Sequence, residues 1–154
     1  MSSASAPTSV TGIPTASAVD HLGYNVPDLE RAIAFFTDFL GFTLLERSGG
    51  FAQGQPTPAA RVAMLEFSGT RVELLQFHPT ATAAPQPGLQ DHGGYHLALT
   101  ITDLDAAVVY LRTNPEVRLV REPDQLKNGR RRVFFETPWG ATIQLITPRT
   151  DTIF

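Results

Sequence analysis

The 154-residue chain contains no cysteine, which excludes disulfide bonds, thiolate metal ligands and a cysteine nucleophile. It also contains no apolar run near the roughly 20 residues that a membrane-spanning helix needs. Basic residues are not in excess, because 12 Lys and Arg stand against 15 Asp and Glu, and the formal net charge is −3. That balance argues against nucleic acid as a partner. The absence of cysteine is consistent with a cytoplasmic protein.

The composition present is that of a globular protein, with 42% hydrophobic and 18% charged residues. Residues 1–17 are rich in Ser, Ala, Thr and Pro and lack the pattern of a secretory signal, so they are predicted to be a flexible tail. Residues 18–148 are predicted to form a single domain, followed by a short C-terminal tail at 149–154. Within this domain a Pro- and Gly-rich linker at 78–93 separates a module at 18–77 from a module at 94–148.

Two segments of the first module recur in the second. His21 and His96 stand 75 residues apart in similar surroundings. The match continues without a gap through Asp28/Asp103, Leu29/Leu104, Ala32/Ala107 and Phe36/Leu111. Residues 62–74 match residues 133–145 at an offset of 71, and this second match pairs Glu73 with Gln144. A repeat that returns a potential ligand at the same place in each module predicts a composite site between the modules.

Each module has the pattern of one strand, one helix and then three strands. Asp28 is expected to cap the first helix and Gly41 to end it in a left-handed conformation, while Asp103 or Thr102 caps the second helix. Strands are expected at 19–26, 42–46, 61–67 and 71–77, and again at 95–101, 117–121, 132–136 and 141–147. Alternation along these strands places His21, Glu73, His96 and Gln144 opposite the aliphatic face that the helices would cover.

The ordered set of motifs resembles the vicinal oxygen chelate superfamily, which includes glyoxalase I, bleomycin-resistance proteins and extradiol dioxygenases. The resemblance rests on the segments around His21 and His96, on residues 71–74 and on Pro138-Trp139-Gly140 with Gln144. It implies an α+β fold in which two tandem βαβββ modules form a curved mixed sheet with a central cleft. It also implies a homodimer that acts on a small molecule.

The resemblance further implies that His21, Glu73, His96 and Gln144 bind a divalent metal ion. The donor set suits Zn, Fe, Ni, Mn or Co. Gln144 departs from the Glu that is usual at the fourth position, so the metal site would carry one more positive charge and bind its ion less tightly. Asn25 and Phe77 stand where glutathione-dependent glyoxalase I has Arg and Asn, and both departures argue against glutathione.

The activity that this site implies is a glyoxalase-like lyase, isomerase or epimerase reaction by metal-assisted proton transfer next to a carbonyl. Glu73 is the first candidate for the general base and Glu46 the second, because Gln144 has no acid–base capacity. An Fe(II)-dependent extradiol-type dioxygenase remains an alternative, and so does a non-catalytic small-molecule binding protein that confers antibiotic resistance. The run Arg130-Arg131-Arg132 is interpreted as a loop or strand start, with contact with an anion as the alternative.

Overall fold

The computed structural model describes residues 12–50, 59–78 and 87–149. Contacts divide the chain into two compact units, Met1–Ala81 and Thr82–Phe154. Each unit contains one mixed sheet and one helical segment, so the predicted α+β class with a repeated strand–helix–strand pattern is confirmed. Most of the predicted N-terminal tail, residues 51–58 and half of the predicted linker lie outside the described residues. Among the described residues, no helix has the length and apolar character of a membrane span.

The first unit has a four-stranded sheet with the strand order β1-β4-β3-β2. Strand β1 runs parallel to β4, and the other two pairs are antiparallel. The elements are β1 (Leu22–Asn25), α1 (Leu29–Ala34), β2 (Thr43–Gly49), β3 (Ala59–Phe67) and β4 (Thr70–His78). Strand β1 is shorter than predicted, because only Leu22 to Asn25 find ladder partners on β4, and His21 therefore precedes it.

Helix α1 begins where the sequence predicts. The Asp28 carboxylate accepts a hydrogen bond from the backbone N–H of Arg31 at 3.1 Å, which satisfies one free donor of the first turn. The helix continues into one π-helical turn, Phe35–Phe39, so that Phe35 and Phe36 are both buried. Gly41 then ends the segment with a φ of +81°, in the left-handed region predicted for it.

Strands β3 and β4 form a hairpin whose two-residue loop is Ser68 and Gly69. Both residues have a positive φ, 51° and 81°, as a type I′ turn requires. This tight turn fixes the register of β4 against β3, and through it the position of Glu73 in the sheet.

The second unit repeats the arrangement with a five-stranded sheet. The strand order is β5-β9-β8-β6, and β7 also pairs with β8. The elements are β5 (Leu97–Thr100), α2 (Leu104–Leu111), β6 (Arg118–Leu119), β7 (Asp124–Gln125), β8 (Arg131–Glu136) and β9 (Thr142–Ile146). Asp103, rather than Thr102, caps α2 by accepting from the backbone N–H of Ala106. The strand predicted at 117–121 shortens to two residues, and β7 was not predicted.

Each helix packs on one face of its own sheet, and the core of each unit lies there. The side of a sheet that is turned away from its helix is called the far face below. In the first unit the buried core comprises Tyr24, Val26, Leu29, Ala32, Ile33, Phe36, Ala63, Leu65, Val72 and Leu74. In the second unit the helix-covered face contributes Leu104, Val108, Leu111, Val133, Phe135, Ile143 and Leu145. Because strand side chains alternate, Glu73 and Gln144 belong to the far faces.

Candidate metal and catalytic site

His21 and Glu73 come together on the far face of the first sheet. Gly23 is the ladder partner of Glu73, and His21 lies two residues before Gly23, so the imidazole and the carboxylate share a face. The distance from His21 Nε2 to Glu73 Oε2 is 3.2 Å. Both side chains are partly buried, with 33% and 23% of their surface exposed. The first unit therefore supplies one nitrogen and one oxygen donor that point at the same place.

Asp20 holds the other nitrogen of the His21 ring, with 2.7 Å between Nδ1 and Oδ2. This hydrogen bond raises the pKa of His21 and lowers the pKa of the Asp20 carboxyl. When Nδ1–H donates a hydrogen bond to Asp20, the neutral ring presents the Nε2 lone pair to the Glu73 carboxylate. Two lone pairs at this separation need a cation between them, either a proton or a metal ion. The pair therefore fits a metal site whose histidine is oriented by a neighbouring carboxylate.

The second unit places His96 and Gln144 in the same register. Ala98 is the ladder partner of Gln144 in the parallel β5–β9 pair, and His96 lies two residues before Ala98. The His96 ring meets the edge of Phe134, with 5.2 Å between the ring centroids, and Phe134 is itself the β8 partner of Gln144. Gln144 is buried, with 7% of its surface exposed.

The two units therefore match in register as well as in sequence. In each unit the histidine lies two residues before a strand residue, Gly23 or Ala98. That strand residue is the ladder partner of the oxygen donor on the last strand, Glu73 or Gln144. Gly69 and Gly140, which the sequence repeat aligns, both have a positive φ in the turn before that last strand. The structure brings His21 next to Glu73, and His96 and Gln144 belong to the other unit. Within residues 12–50, 59–78 and 87–149, no group of three His, Cys, Asp or Glu side chains is arranged so that it could hold a metal ion.

Glu46 reaches the far face because β2 contains a bulge. Leu44 pairs with Leu65, which is buried under the helix, but Glu46 pairs with Met64, so Leu45 is the extra residue between them. Simple alternation would have put Glu46 on the same face as Leu44. With the bulge, Glu46 shares its face with Met64 and with Glu73, the β4 partner of Met64. Bulges often re-aim a side chain beside an active site in this way.

The neighbour of Glu46 supports this orientation. The Arg47 guanidinium binds Glu30 of α1, with 2.8 Å between Nη1 and Oε2, so Arg47 lies on the helix-covered face. Glu46 therefore points the other way, and its carboxylate is not paired with Arg47. Two strand spacings of about 4.8 Å separate Glu46 from Glu73 across the sheet, or about 10 Å between their Cα atoms.

Aromatic side chains of these strands occupy both faces of the sheets. Tyr24 and Phe135 belong to the helix-covered cores, with 2% and 0% of their surface exposed. Phe77 lies on the far face of β4, four residues beyond Glu73, and is partly exposed. Phe51 lies outside the described residues. The sequence interpretation missed Phe134 and Asp20, although alternation on β8 against the buried Val133 and Phe135 would have indicated Phe134.

A comparison with protein families finds a match between residues 18–145 and the model described as the Glyoxalase/Bleomycin resistance protein/Dioxygenase superfamily. The match covers both units and all four residues that the sequence repeat aligned.

Curated relatives with a stated activity are epimerases. The chain is 38% identical over 149 residues to a 2-epi-5-epi-valiolone epimerase from an Actinomyces species, covering 88% of this chain and 81% of that protein. It is 32% identical over 98 residues to the mitochondrial methylmalonyl-CoA epimerase of Homo sapiens, covering 61% of this chain and 52% of that protein.

Solved structures agree in fold. A glyoxalase family protein from Bacillus cereus superposes with a TM-score of 0.73 at 23% identity, covering 88% of this chain and 98% of that one. The fosfomycin resistance protein FosX from Listeria monocytogenes, solved as a complex with Mn(II) and sulfate, gives a TM-score of 0.66 at 14% identity, covering 88% and 95%. At these identities the likeness concerns the fold, and the Mn(II) belongs to the FosX structure.

Proposed function

The chain belongs to the Glyoxalase/Bleomycin resistance protein/Dioxygenase superfamily, and from that premise we propose that it is a divalent-metal-dependent epimerase of a small oxygenated molecule. The observation that carries the proposal is the equivalent register of the His21–Glu73 and His96–Gln144 pairs. The two epimerases among its relatives support proton transfer over the dioxygenase and binding-protein alternatives.

In this proposal His21, Glu73, His96 and Gln144 hold one divalent metal ion. Two imidazoles, one carboxylate and one amide oxygen form a donor set that Zn, Fe, Ni, Mn and Co all accept. Such an ion supplies a Lewis acid that polarises a carbonyl oxygen of the substrate. Asp20 orients His21 by accepting a hydrogen bond from Nδ1–H.

The chain's carboxylates would move the proton. Epimerisation breaks the C–H bond next to the carbonyl and returns a proton to the opposite side of the same carbon. Glu46 and Glu73 lie two strands apart on one face, which leaves room for a small substrate between them. One carboxylate accepts the proton as general base, and the conjugate acid of the other returns one. Gln144 cannot exchange protons, so its part is to bind and to lower the negative charge of the site.

We also propose that the protein is a homodimer and acts on a small molecule, as the resemblance of its modules to those of the superfamily implies. Size-exclusion chromatography with light scattering would test the dimer. A mass of one chain, 16.8 kDa, across a range of concentrations would contradict it.

The proposed reaction is tested by incubating the full chain in D₂O with 2-epi-5-epi-valiolone and, separately, with methylmalonyl-CoA. We expect deuterium to enter at the carbon next to a carbonyl together with inversion there. A chelator should abolish both, and added Mn, Co, Ni, Zn or Fe should restore them. Bound metal without exchange in either substrate would contradict activity on these two compounds. Oxygen uptake on a catechol, or ligand binding that is insensitive to chelation, would favour the dioxygenase or the binding protein.

A further inference from the structure

A cluster of two arginines lies on the far face of the second sheet, next to the residues already discussed. It comprises Arg121, Asp124, Arg132 and Phe134 and is called the arginine subsite here. Arg132 and Phe134 alternate on β8 with the buried Val133 and Phe135, which face α2, so they belong to the same face as Gln144. Arg121 follows β6, where the backbone N–H of Val120 donates to the Phe134 carbonyl at 2.9 Å.

Both guanidinium groups stack on one buried ring. The Cζ atoms of Arg121 and Arg132 lie 5.7 Å and 5.3 Å from the centroid of Phe134, of which only 3% is exposed. A cation–π contact of this kind restrains an arginine side chain and reduces the rotamer freedom that ligand binding would otherwise remove. The two cations are therefore held close together in defined orientations.

A single carboxylate neutralises only one of them. Asp124 accepts from Arg132 Nε at 2.8 Å and Nη2 at 3.3 Å, and its Oδ2 lies 3.1 Å from Arg121 Nη2. The subsite consequently keeps one net positive charge. Among the residues that the structure describes, the Nε and Nη1 groups of Arg121 and the Nη1 group of Arg132 have no protein acceptor. Arg121 retains 45% of its side-chain surface, so these donors can reach a ligand.

Three other arginines of the second unit differ in this respect. Arg131 forms a two-bond pair with Asp105, and Arg112 directs Nη2 at both oxygens of Glu122. Arg118 binds Glu136 through Nε and Nη2. Each of these cations has a carboxylate of its own, whereas Arg121 and Arg132 share one. The arginine subsite is thus the place in this unit where two stacked cations face one anion.

We propose that Arg121 and Arg132 bind an anionic oxygen group, a carboxylate or a phosphate, carried by the substrate. The link to the substrate rests on the proposed function, which places the substrate at the metal ligands His96 and Gln144. Phe134 of the subsite contacts the His96 ring and is the ladder partner of Gln144. Arg132 lies two positions before Phe134, the ladder partner of Gln144. At a rise of about 3.3 Å per residue, the distance along β8 between Arg132 and Phe134 is about 7 Å. A substrate whose anionic group lies a few carbon atoms from its carbonyl would span that distance.

The test measures binding of inorganic phosphate and of succinate to the full chain by calorimetry, in metal-loaded protein and after chelation. Arg121→Gln should weaken binding by about tenfold to a hundredfold, as expected when a charge-assisted hydrogen bond is lost. Arg121→Lys should recover part of it. The matched control is Arg118→Gln, which removes the same charge from the same sheet and should change affinity less than threefold. Arg121 is chosen over Arg132 because its loss leaves Asp124 paired.

Saturable binding of either anion that depends on Arg121 in both metal states supports the subsite, and the anion that responds identifies the group. Equal losses in Arg121→Gln and Arg118→Gln, or no saturable binding of either anion, would overturn it. Metal titration of Arg121→Gln separates this inference from the proposed function. If the wild-type chain binds no metal but still binds an anion in an Arg121-dependent way, the result would support the subsite and contradict the metal-dependent epimerase proposal.

Discussion

Replacement of Glu46 by Gln gives the sharpest prediction about catalysis. The β2 bulge places this carboxylate on the row Glu46–Met64–Glu73, two strand spacings or about 10 Å from Glu73. That separation is too large for Glu46 to share a ligand position with Glu73, so the change should leave the metal content intact. Loss of a general base lowers the rate by about 10²–10⁴-fold, or about 3 to 5 kcal/mol of transition-state free energy.

The assay is deuterium wash-in at the reacting carbon, measured with metal analysis on the same sample. The matched control is Glu66→Gln, which removes a carboxylate from the same face of the same sheet, two residues along β3 from Met64, where Glu66 lies 3.8 Å from Arg71. We expect Glu66→Gln to retain wild-type exchange within threefold and Glu46→Gln to lose at least a hundredfold with unchanged metal. Exchange by Glu46→Gln within threefold of wild type would refute the assignment and leave Glu73 as the base. Equal losses in both variants would indicate damage to the sheet instead.

Three further predictions concern metal binding and stability. Gln144→Glu should tighten metal binding by tenfold or more in a metal titration, and destabilise the metal-free protein by about 1–3 kcal/mol, because the new carboxylate is buried. Unchanged metal affinity would place Gln144 outside the ligand set. Asp124→Asn should cost about 1 kcal/mol in urea unfolding at neutral pH. The hydrogen bond from Arg132 lowers the pKa of Asp124 below 3.8. The stability that the ion pair contributes is therefore present above pH 3.8 and is lost as the pH falls through the lowered pKa. An Asp124→Asn cost that persists in stronger acid would contradict the ion pair. Leu74→Ala should cost about 2–5 kcal/mol by the same assay, since Leu74 is fully buried beneath α1, and a cost below 1 kcal/mol would contradict that packing.

The repeat was the part of the fold that the sequence predicted best. Equivalent side chains at offsets of 75 and 71 residues anticipated that both histidines would stand at the same register relative to their oxygen donors. The helix caps Asp28 and Asp103 were also predictable, because a cap depends on a short local motif. Strand ends were less predictable, since β1 and β5 stop where their parallel partners β4 and β9 stop bonding.

The placement of Glu46 could not be predicted from alternation. Counting by two from Leu44 assigns Glu46 to the helix-covered face, and only the pairing of β2 with β3 shows that Leu45 is an extra residue. The arginine subsite could not be predicted either, because Arg121 and Arg132 are separated by eleven positions. The two residues come together because β6 pairs with β8, and β6 has only two residues and therefore no periodic pattern. Features that depend on local motifs or on the repeat were predicted, whereas the bulge in β2 and the arginine subsite were not.

We propose that each repeat supplies one histidine to a shared divalent metal site. It is tested most directly by counting metal per chain in the wild type, in His21→Ala and in His96→Ala, each loaded with Co(II) and washed free of excess. We predict about one ion per wild-type chain and loss of that ion, with its absorption spectrum, in both variants. Full occupancy with an unchanged spectrum in either variant would contradict the claim.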